Sequence, residues 1–261
     1  MTILSEQLDY DAFFRTLRAA PSRLLMLDYD GTLAPFTPHR DRATPFPGLR
    51  PLLQKLASEK RCRTVIVSGR AVADLLPLLQ LNPLPEIWGS HGWERMHADG
   101  TYTPPPLDEN TRRILAEEWN WLKALFPGDR IEQKPASVAL HWRGLEPETE
   151  VTLRGLASKR WSNLLLHAPV EMHAFDGGIE LRTLGRSKAD AVHTLLSEFP
   201  TPPAAAYLGD DQTDEDAFAA LDGRGLRVLV RPELRPTRAD LHLTPPDELI
   251  RFLNQWISHL S

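Results

Sequence analysis

The sequence predicts an α/β fold: an open parallel sheet with helices on both faces, interrupted by an inserted α+β module. Three observations predict it. Residues 23–27 (RLLML), 63–67 (RTVIV), 204–208 (AAAYL) and 226–230 (LRVLV) are apolar without alternation, as strands buried on both faces are. Helical patterns at residues 47–60, 71–79, 187–199 and 213–221 separate or follow these runs, so the order is strand–helix–strand, which builds right-handed βαβ units. Between the second and third helical patterns the chain changes character.

In that middle stretch, residues 108–126 read as a long amphipathic helix with Ile114, Leu115, Trp119, Leu122 and Phe126 on one stripe. Residues 137–143 (SVALHWR) alternate as a half-solvated strand does. A second helix follows at 148–165. Two strands within 165–182 are then joined at Asp176-Gly177-Gly178, a hairpin signal. Of the 23 prolines, 16 gather at residues 35–51, 77–85, 104–106, 200–203 and 245–246, where they punctuate elements. The expected domains are therefore a core of residues 1–103 and 181–261 and an insert of residues 104–180.

Composition narrows the class. At 261 residues, 42% hydrophobic and 25% charged, the chain can bury a large core without disulfides or a structural metal. One cysteine, Cys62, excludes an intrachain disulfide framework and a cysteine-rich zinc site. Thirty Lys and Arg against 35 Asp and Glu give a net charge of −5, which disfavours non-specific nucleic-acid binding. The first residues, MTILSEQLDYDAFF, carry acids where a signal peptide is apolar, and no apolar run approaches the ~20 residues of a membrane span. The expectation is a cytoplasmic protein without nucleic-acid or membrane partners, with a monomer as the working expectation for its assembly.

The chemistry gathers where strands end, the face at which open α/β sheets bind ligands. The segment LLMLDYDGTL runs from a buried strand into Asp28-Tyr29-Asp30-Gly31-Thr32. Two carboxylates two apart can face one crevice, one attacking while the other handles a proton. A plain turn also fits these residues; a calcium loop needs further oxygen ligands, which Leu33, Ala34 and Pro35 do not supply. Ser68 and Gly69 end the second strand just before a helix, where a hydroxyl and free N–H groups make an anion site or a simple N-cap. Lys188 opens a helix against the macrodipole, which hints at an anionic partner. The third run ends in Gly209, Asp210 and Asp211, with Asp214, Glu215 and Asp216 close behind. An acidic first helical turn explains the later three, but Asp210 and Asp211 come straight off an apolar strand, where a hard cation such as Mg²⁺ would neutralise them.

In this order, on one α/β scaffold, the four motifs resemble the haloacid dehalogenase superfamily of phosphohydrolases. Three further segments, WGSHGWER (88–95), KPASVALHWR (134–143) and GIELRTLGRSK (178–188), look like those of its trehalose-6-phosphate phosphatase family, whose patterns run Gly-x-His-Gly, Lys…His-aromatic-Arg and Glu-x-Arg-Pro…Lys-Gly. The likeness covers nearly the whole chain. It departs at Thr183, where proline is usual, and at Ala189, where glycine is usual.

The resemblance implies a Rossmann-like core with a cap that closes over a sugar phosphate, and hydrolysis of trehalose 6-phosphate with Mg²⁺. By it, Asp28 would form an aspartyl-phosphate and Asp30 would act as acid and then base. Thr32, Ser68 and Gly69 would hold phosphate oxygens, and Lys188 would balance charge. Asp28, the Asp30 carbonyl and Asp210 would bind Mg²⁺, with Asp214 a direct or water-mediated support and Asp211 steadying Lys188 or the ion. Ser90, His91, Gly92, Lys134, His141, Arg143 and Glu180 would read the sugar. Plainer roles compete for several of these: packing within the cap for His141, a surface ion pair of little worth for Lys134 and Glu180, and core positions for Trp93, Trp142 and Trp161, which is favoured for Trp161. Competing functions are the same chemistry on sucrose phosphate or a glycosyl-phosphoglycerate, a non-catalytic regulatory domain, which would have lost a nucleophile or metal aspartate, and a signalling receiver, which would lack the insert.

Overall fold

The computed structural model describes residues 1–37, 39–175 and 177–260. It divides into two compact units, residues 1–103 with 187–261 and residues 104–186. The chain enters the first unit as β1 (Thr2–Ile3), α1 (Tyr10–Ala19), β2 (Arg23–Leu27), α2 (Leu49–Ser58), β3 (Arg63–Val67), α3 (Val72–Leu79), β4 (Glu86–Gly89), β5 (Glu94–Met96) and β6 (Tyr102–Thr103). The second unit holds α4 (Glu109–Leu125), β7 (Ile131–Lys134), β8 (Ser137–His141), α5 (Pro147–Ser162), β9 (Val170–Phe175) and β10 (Gly178–Thr183). The first resumes with α6 (Lys188–Ser197), β11 (Ala204–Gly209), α7 (Asp214–Leu221), β12 (Leu226–Val230), β13 (Leu241–Leu243) and α8 (Asp247–Ser258).

The first unit's sheet runs β1-β13-β12-β11-β2-β3-β4-β5-β6. Strands β13 through β4 in that order are parallel, and β1, β5 and β6 pair antiparallel at the edges. The β2 side chains alternate between two cores. Leu25 and Leu27 join one that includes Phe14 of α1, Leu53 of α2, Leu75 of α3 and Phe252 of α8. Leu24 and Met26 join the other, with Val192 of α6 and Phe218 of α7. Burial on both faces is why these runs lack alternation. From β2 the chain moves to β3 on one side and returns as β11 on the other, so the strand order reverses there. The register pairs Leu27 with Leu208, which brings the residues after both strands out side by side at the crevice.

Local signals set the helix ends. Gly48 has φ +86°, so α2 starts at Leu49 rather than at Pro47. Asp108 caps α4 by accepting from Thr111 N at 2.9 Å. Ser187 and Asp190 form a reciprocal capping box on α6.

The second unit is a four-stranded antiparallel sheet, β7-β8-β10-β9. One face, with Val138, Leu140, Ile179 and Leu181, packs with Leu122 of α4 and Trp161 of α5. Trp161 is fully buried and Trp142 belongs to the same core. Buried Glu118 accepts two bonds from Arg160, at 3.0 and 2.8 Å, and one from Trp161 Nε1 at 3.1 Å, so its charge is paired. The unit runs on through Arg186, past the expected break at Glu180, because β10 stays paired with β8 and β9 to its end. Of the expected hairpin turn, Asp176 lies outside the described residues.

Candidate active site

Asp28 leaves β2 with its N–H on the Leu208 carbonyl of β11 at 2.8 Å. The chain then turns sharply at Gly31, which has φ +83°. A Cβ there would lie 2.1 Å from Asp210 Oδ2, so both the conformation and the space demand glycine. Lys188, at the first position of α6, is 3% exposed and spans Asp28 Oδ1 at 2.6 Å and Asp214 Oδ1 at 2.7 Å. Asp214 also accepts from Tyr207 Oη at 2.7 Å and from the N–H groups of Asp210 and Asp211, both at 3.0 Å. Its two oxygens are thereby taken up in shaping the site. Lys188 is held by Asp214 rather than Asp211, whose N–H and carbonyl tie its backbone in place.

Asp28, Asp210 and Asp214 offer ligand oxygens within 4.8 Å of one another, all buried. The Asp30 and Asp211 carboxylates do not join that group. Both Asp210 oxygens and the Thr32 hydroxyl are buried without a hydrogen-bond partner among the described residues. Polar atoms in that state cost free energy unless something else meets them. An all-oxygen donor set with two unmatched carboxylate oxygens fits a hard divalent cation, and the cluster could hold a metal ion.

Three carboxylates against one ammonium leave the cluster over-acidic. Burial, with Asp214 nearby, pushes the Asp28 carboxyl up to about 7, although Lys188 pulls it down. Asp210 is raised well above the carboxylate range by burial and by the Asp28 and Asp214 charges. Burial works against the Lys188 ammonium, but Asp214 and Asp28 outweigh it and raise its pKa. Burial and the Asp214 charge likewise raise Tyr207.

Around this cluster stand the other expected residues of the first unit. Ser68 is buried, with its Oγ accepting from Arg70 N at 3.1 Å. Arg70 reaches both oxygens of Asp30, through Nε and Nη2, at 2.7 Å each. A Cβ on Gly69 would lie 2.5 Å from His91 Cε1, so the imidazole lies against the Ser68–Gly69 backbone. Ser90, expected to read the sugar, donates its hydroxyl to Glu94 at 2.6 Å.

The expected residues of the second unit gather on the polar face of its sheet. Lys134 Nζ and Ser137 Oγ both bond Glu180 Oε1, at 2.7 and 2.6 Å. The Lys134 and Glu180 side chains are only 8% and 1% exposed, so this is no surface ion pair. His141 Nε2 meets Glu132 Oε2 at 2.8 Å. Arg143 lies against Gly177, where a Cβ would meet its Cβ at 2.7 Å.

Known proteins resemble this chain in sequence and in fold. A family profile described as trehalose-phosphatase matches residues 26–244. The chain belongs to the trehalose-phosphatase family. The trehalose-phosphate phosphatase of Mycobacterium marinum is 32% identical over 256 residues, 92% of this chain and 63% of that protein. The corresponding Mycobacterium leprae protein is covered over 58% of its length, so the chain spans about 60% of the length of these relatives. Among solved structures, the C-terminal domain of the C. albicans trehalose-6-phosphate phosphatase superposes with a TM-score of 0.80 at 22% identity, covering 99% of each chain, which shows the shared fold. A trehalose-6-phosphate phosphatase from Aspergillus fumigatus gives 0.67 at 26% identity over 96% of this chain and 98% of its own.

Proposed function

We propose that this member of the trehalose-phosphatase family hydrolyses trehalose 6-phosphate to trehalose and phosphate. The observation that carries the reading is Lys188 fixed between Asp28 and Asp214, beside the unmatched oxygens of Asp210 and Thr32. Asp28 attacks phosphorus, the bond from phosphorus to the sugar oxygen breaks, and Asp30 gives that oxygen its proton. Asp30 then takes a proton from water, which attacks the aspartyl-phosphate, frees phosphate and restores Asp28. A two-point hold by Arg70 suits an ionised Asp30, the form needed in the second half. Donation in the first half requires that hold to loosen. Thr32, Ser68 and the backbone at Gly69 are the proposed phosphate contacts, and Lys188 balances the charge on the phosphoryl group.

Mg²⁺ is the proposed cation, with Asp28, Asp210 and the Asp30 carbonyl as its ligands and Asp214 behind them. When bound, it neutralises the negative charge that the carboxylates and the phosphoryl group bring together. Ion binding must compete with protons on these carboxyls. A carboxyl whose folded pKa lies above its unfolded value favours the folded state at low pH and loses that contribution as pH rises through the folded value. For Asp28 that window runs from its ordinary value to about 7. The gain in Tm on saturating with Mg²⁺ is therefore expected to be small at pH 5 and to grow toward pH 8. A gain independent of pH would contradict this.

The inserted unit is the proposed cap and sugar reader, through Lys134, His141, Arg143 and Glu180, with His91 contributing from the core. Lys134→Ala and Glu180→Ala are each expected to lower kcat/KM for trehalose 6-phosphate by about 1–3 kcal/mol while sparing a small aryl phosphate. Equal losses on both substrates would assign these residues to the fold. Because a sugar phosphate is charged and does not cross lipid unaided, an enzyme acting on it must share its compartment, and the proposed setting is the cytoplasm. The test of the whole reading is phosphate release from trehalose 6-phosphate, sucrose phosphate and a glycosyl-phosphoglycerate with Mg²⁺. Preference for the first supports it; preference for another moves the substrate, and no release from any supports a regulatory domain.

A further inference from the structure

The turn from β4 to β5 is held in an unusual shape. Ser90, His91 and Gly92 have φ of +50°, +56° and +95° in succession, and only the third is glycine. L-residues rarely adopt this conformation, and strain of this kind persists only where the surroundings over-determine it. The surroundings here centre on Glu94, which is 3% exposed. Its Oε1 accepts from Ser90 Oγ at 2.6 Å and from Val72 N, at the start of α3, at 3.0 Å. Its Oε2 accepts from Tyr102 Oη at 2.8 Å.

The turn touches both elements that serve the phosphate. Its backbone is stitched to the Ser68–Arg70 loop by Ser90 N to the Arg70 carbonyl at 2.7 Å and His91 N to the Ser68 carbonyl at 2.9 Å. His91 lies against Gly69 on that side. On the other side, a Cβ on Gly92 would lie 2.8 Å from the carbonyl oxygen of Ser187, the residue that caps the helix opened by Lys188. A wedge therefore stands between the Ser68–Gly69 anion loop and the Lys188 helix, and one buried carboxylate sets its shape.

We infer that Glu94 is a positioning residue for the phosphoryl site: by holding Ser90 and His91 left-handed, it fixes the spacing between the Ser68–Gly69 loop and Lys188. This rests on the phosphatase reading above. Glu94 touches no reacting atom. Its loss acts through the groups that hold the phosphoryl group, so it lowers kcat on every phosphate ester; the shift of His91, a proposed sugar contact, adds a binding loss for trehalose 6-phosphate alone.

The test uses the Mg²⁺-loaded protein as wild type and as Glu94→Gln, whose amide has the same shape but carries no charge and offers a donor in place of one acceptor oxygen. Two measurements are made: kcat and KM for trehalose 6-phosphate and p-nitrophenyl phosphate, and amide chemical shifts at Ser68–Arg70 and Ser187–Lys188. The expected result is a fall in kcat on the order of 10²-fold on both substrates, with any rise in KM through His91 confined to trehalose 6-phosphate, and displaced resonances at both segments in a folded protein. Wild-type kcat in the variant, undisplaced resonances, or a loss confined to trehalose 6-phosphate would overturn the inference. If the wild type hydrolyses neither ester, the phosphatase reading fails, and the resonances alone decide whether Glu94 sets the spacing. Should Glu94→Gln not fold, Tyr102→Phe removes one donor at the unit's edge; it is expected to give a smaller fall, equal on both esters, and an unchanged kcat there counts against the inference.

Discussion

Asp28→Asn is expected to abolish turnover and leave the chain folded. The amide keeps the carboxylate's volume and an oxygen for Lys188, but it does not attack phosphorus. The change also removes a charge from a cluster that has too many. Burial raises the Asp28 carboxyl to about 7, so at pH 8 its ionisation opposes folding in the metal-free protein. The metal-free Tm of Asp28→Asn at pH 8 is accordingly expected to equal or exceed that of the wild type. Phosphate release and thermal unfolding measured on one preparation separate the two effects. Wild-type turnover would remove Asp28 from the nucleophile's role, and an unfolded variant would mean the carboxylate is structural.

Lys188→Met carries the second large effect, with the opposite sign for stability. Lys188 is buried between Asp28 and Asp214 and bonds to both. Removing it strands buried carboxylates, and breaking a buried pair in this way costs about 3–5 kcal/mol. Protons can replace the lost cation, so the loss in urea unfolding is expected to be larger at pH 8 than at pH 5. Activity is expected to fall on the order of 10²–10³-fold or more, the scale for a lost charge-stabilising group. A variant as stable as the wild type at pH 8 would contradict the view of Lys188 as counter-charge to the cluster.

The strand-end parts of the candidate site were legible because they sit directly after a signal that sequence carries well. Continuous apolar runs mark doubly buried strands, and Asp28, Ser68 and Asp210 follow three of them. The supporting groups were not legible. Arg70 reaches Asp30 across 40 positions of chain, and that pairing exists only because β2 and β3 lie side by side in one register. Tyr207 looked like one more apolar member of its strand, yet its hydroxyl reaches Asp214. Ser90 sits in a recognised motif, but only the fold shows its hydroxyl turned inward to Glu94.

Element reading failed where pattern is short. Strand β7 reads Ile-Glu-Gln-Lys, too brief and too polar to stand out, though its neighbour β8 makes it a strand. Helix α8, by contrast, carries a clear signal: Leu249, Phe252, Leu253, Trp256 and Ile257 recur at helical spacing and are all buried.

The central claim is that Asp28 carries the phosphoryl group of trehalose 6-phosphate between the two half-reactions. Acid quenching during steady turnover, followed by borohydride reduction and peptide mass analysis, tests it most directly, because an aspartyl-phosphate is reduced to homoserine at the residue that held it. Homoserine at position 28, absent when substrate is omitted, is the result expected. Release of trehalose and phosphate with no homoserine at position 28, or with homoserine at another aspartate, would contradict it.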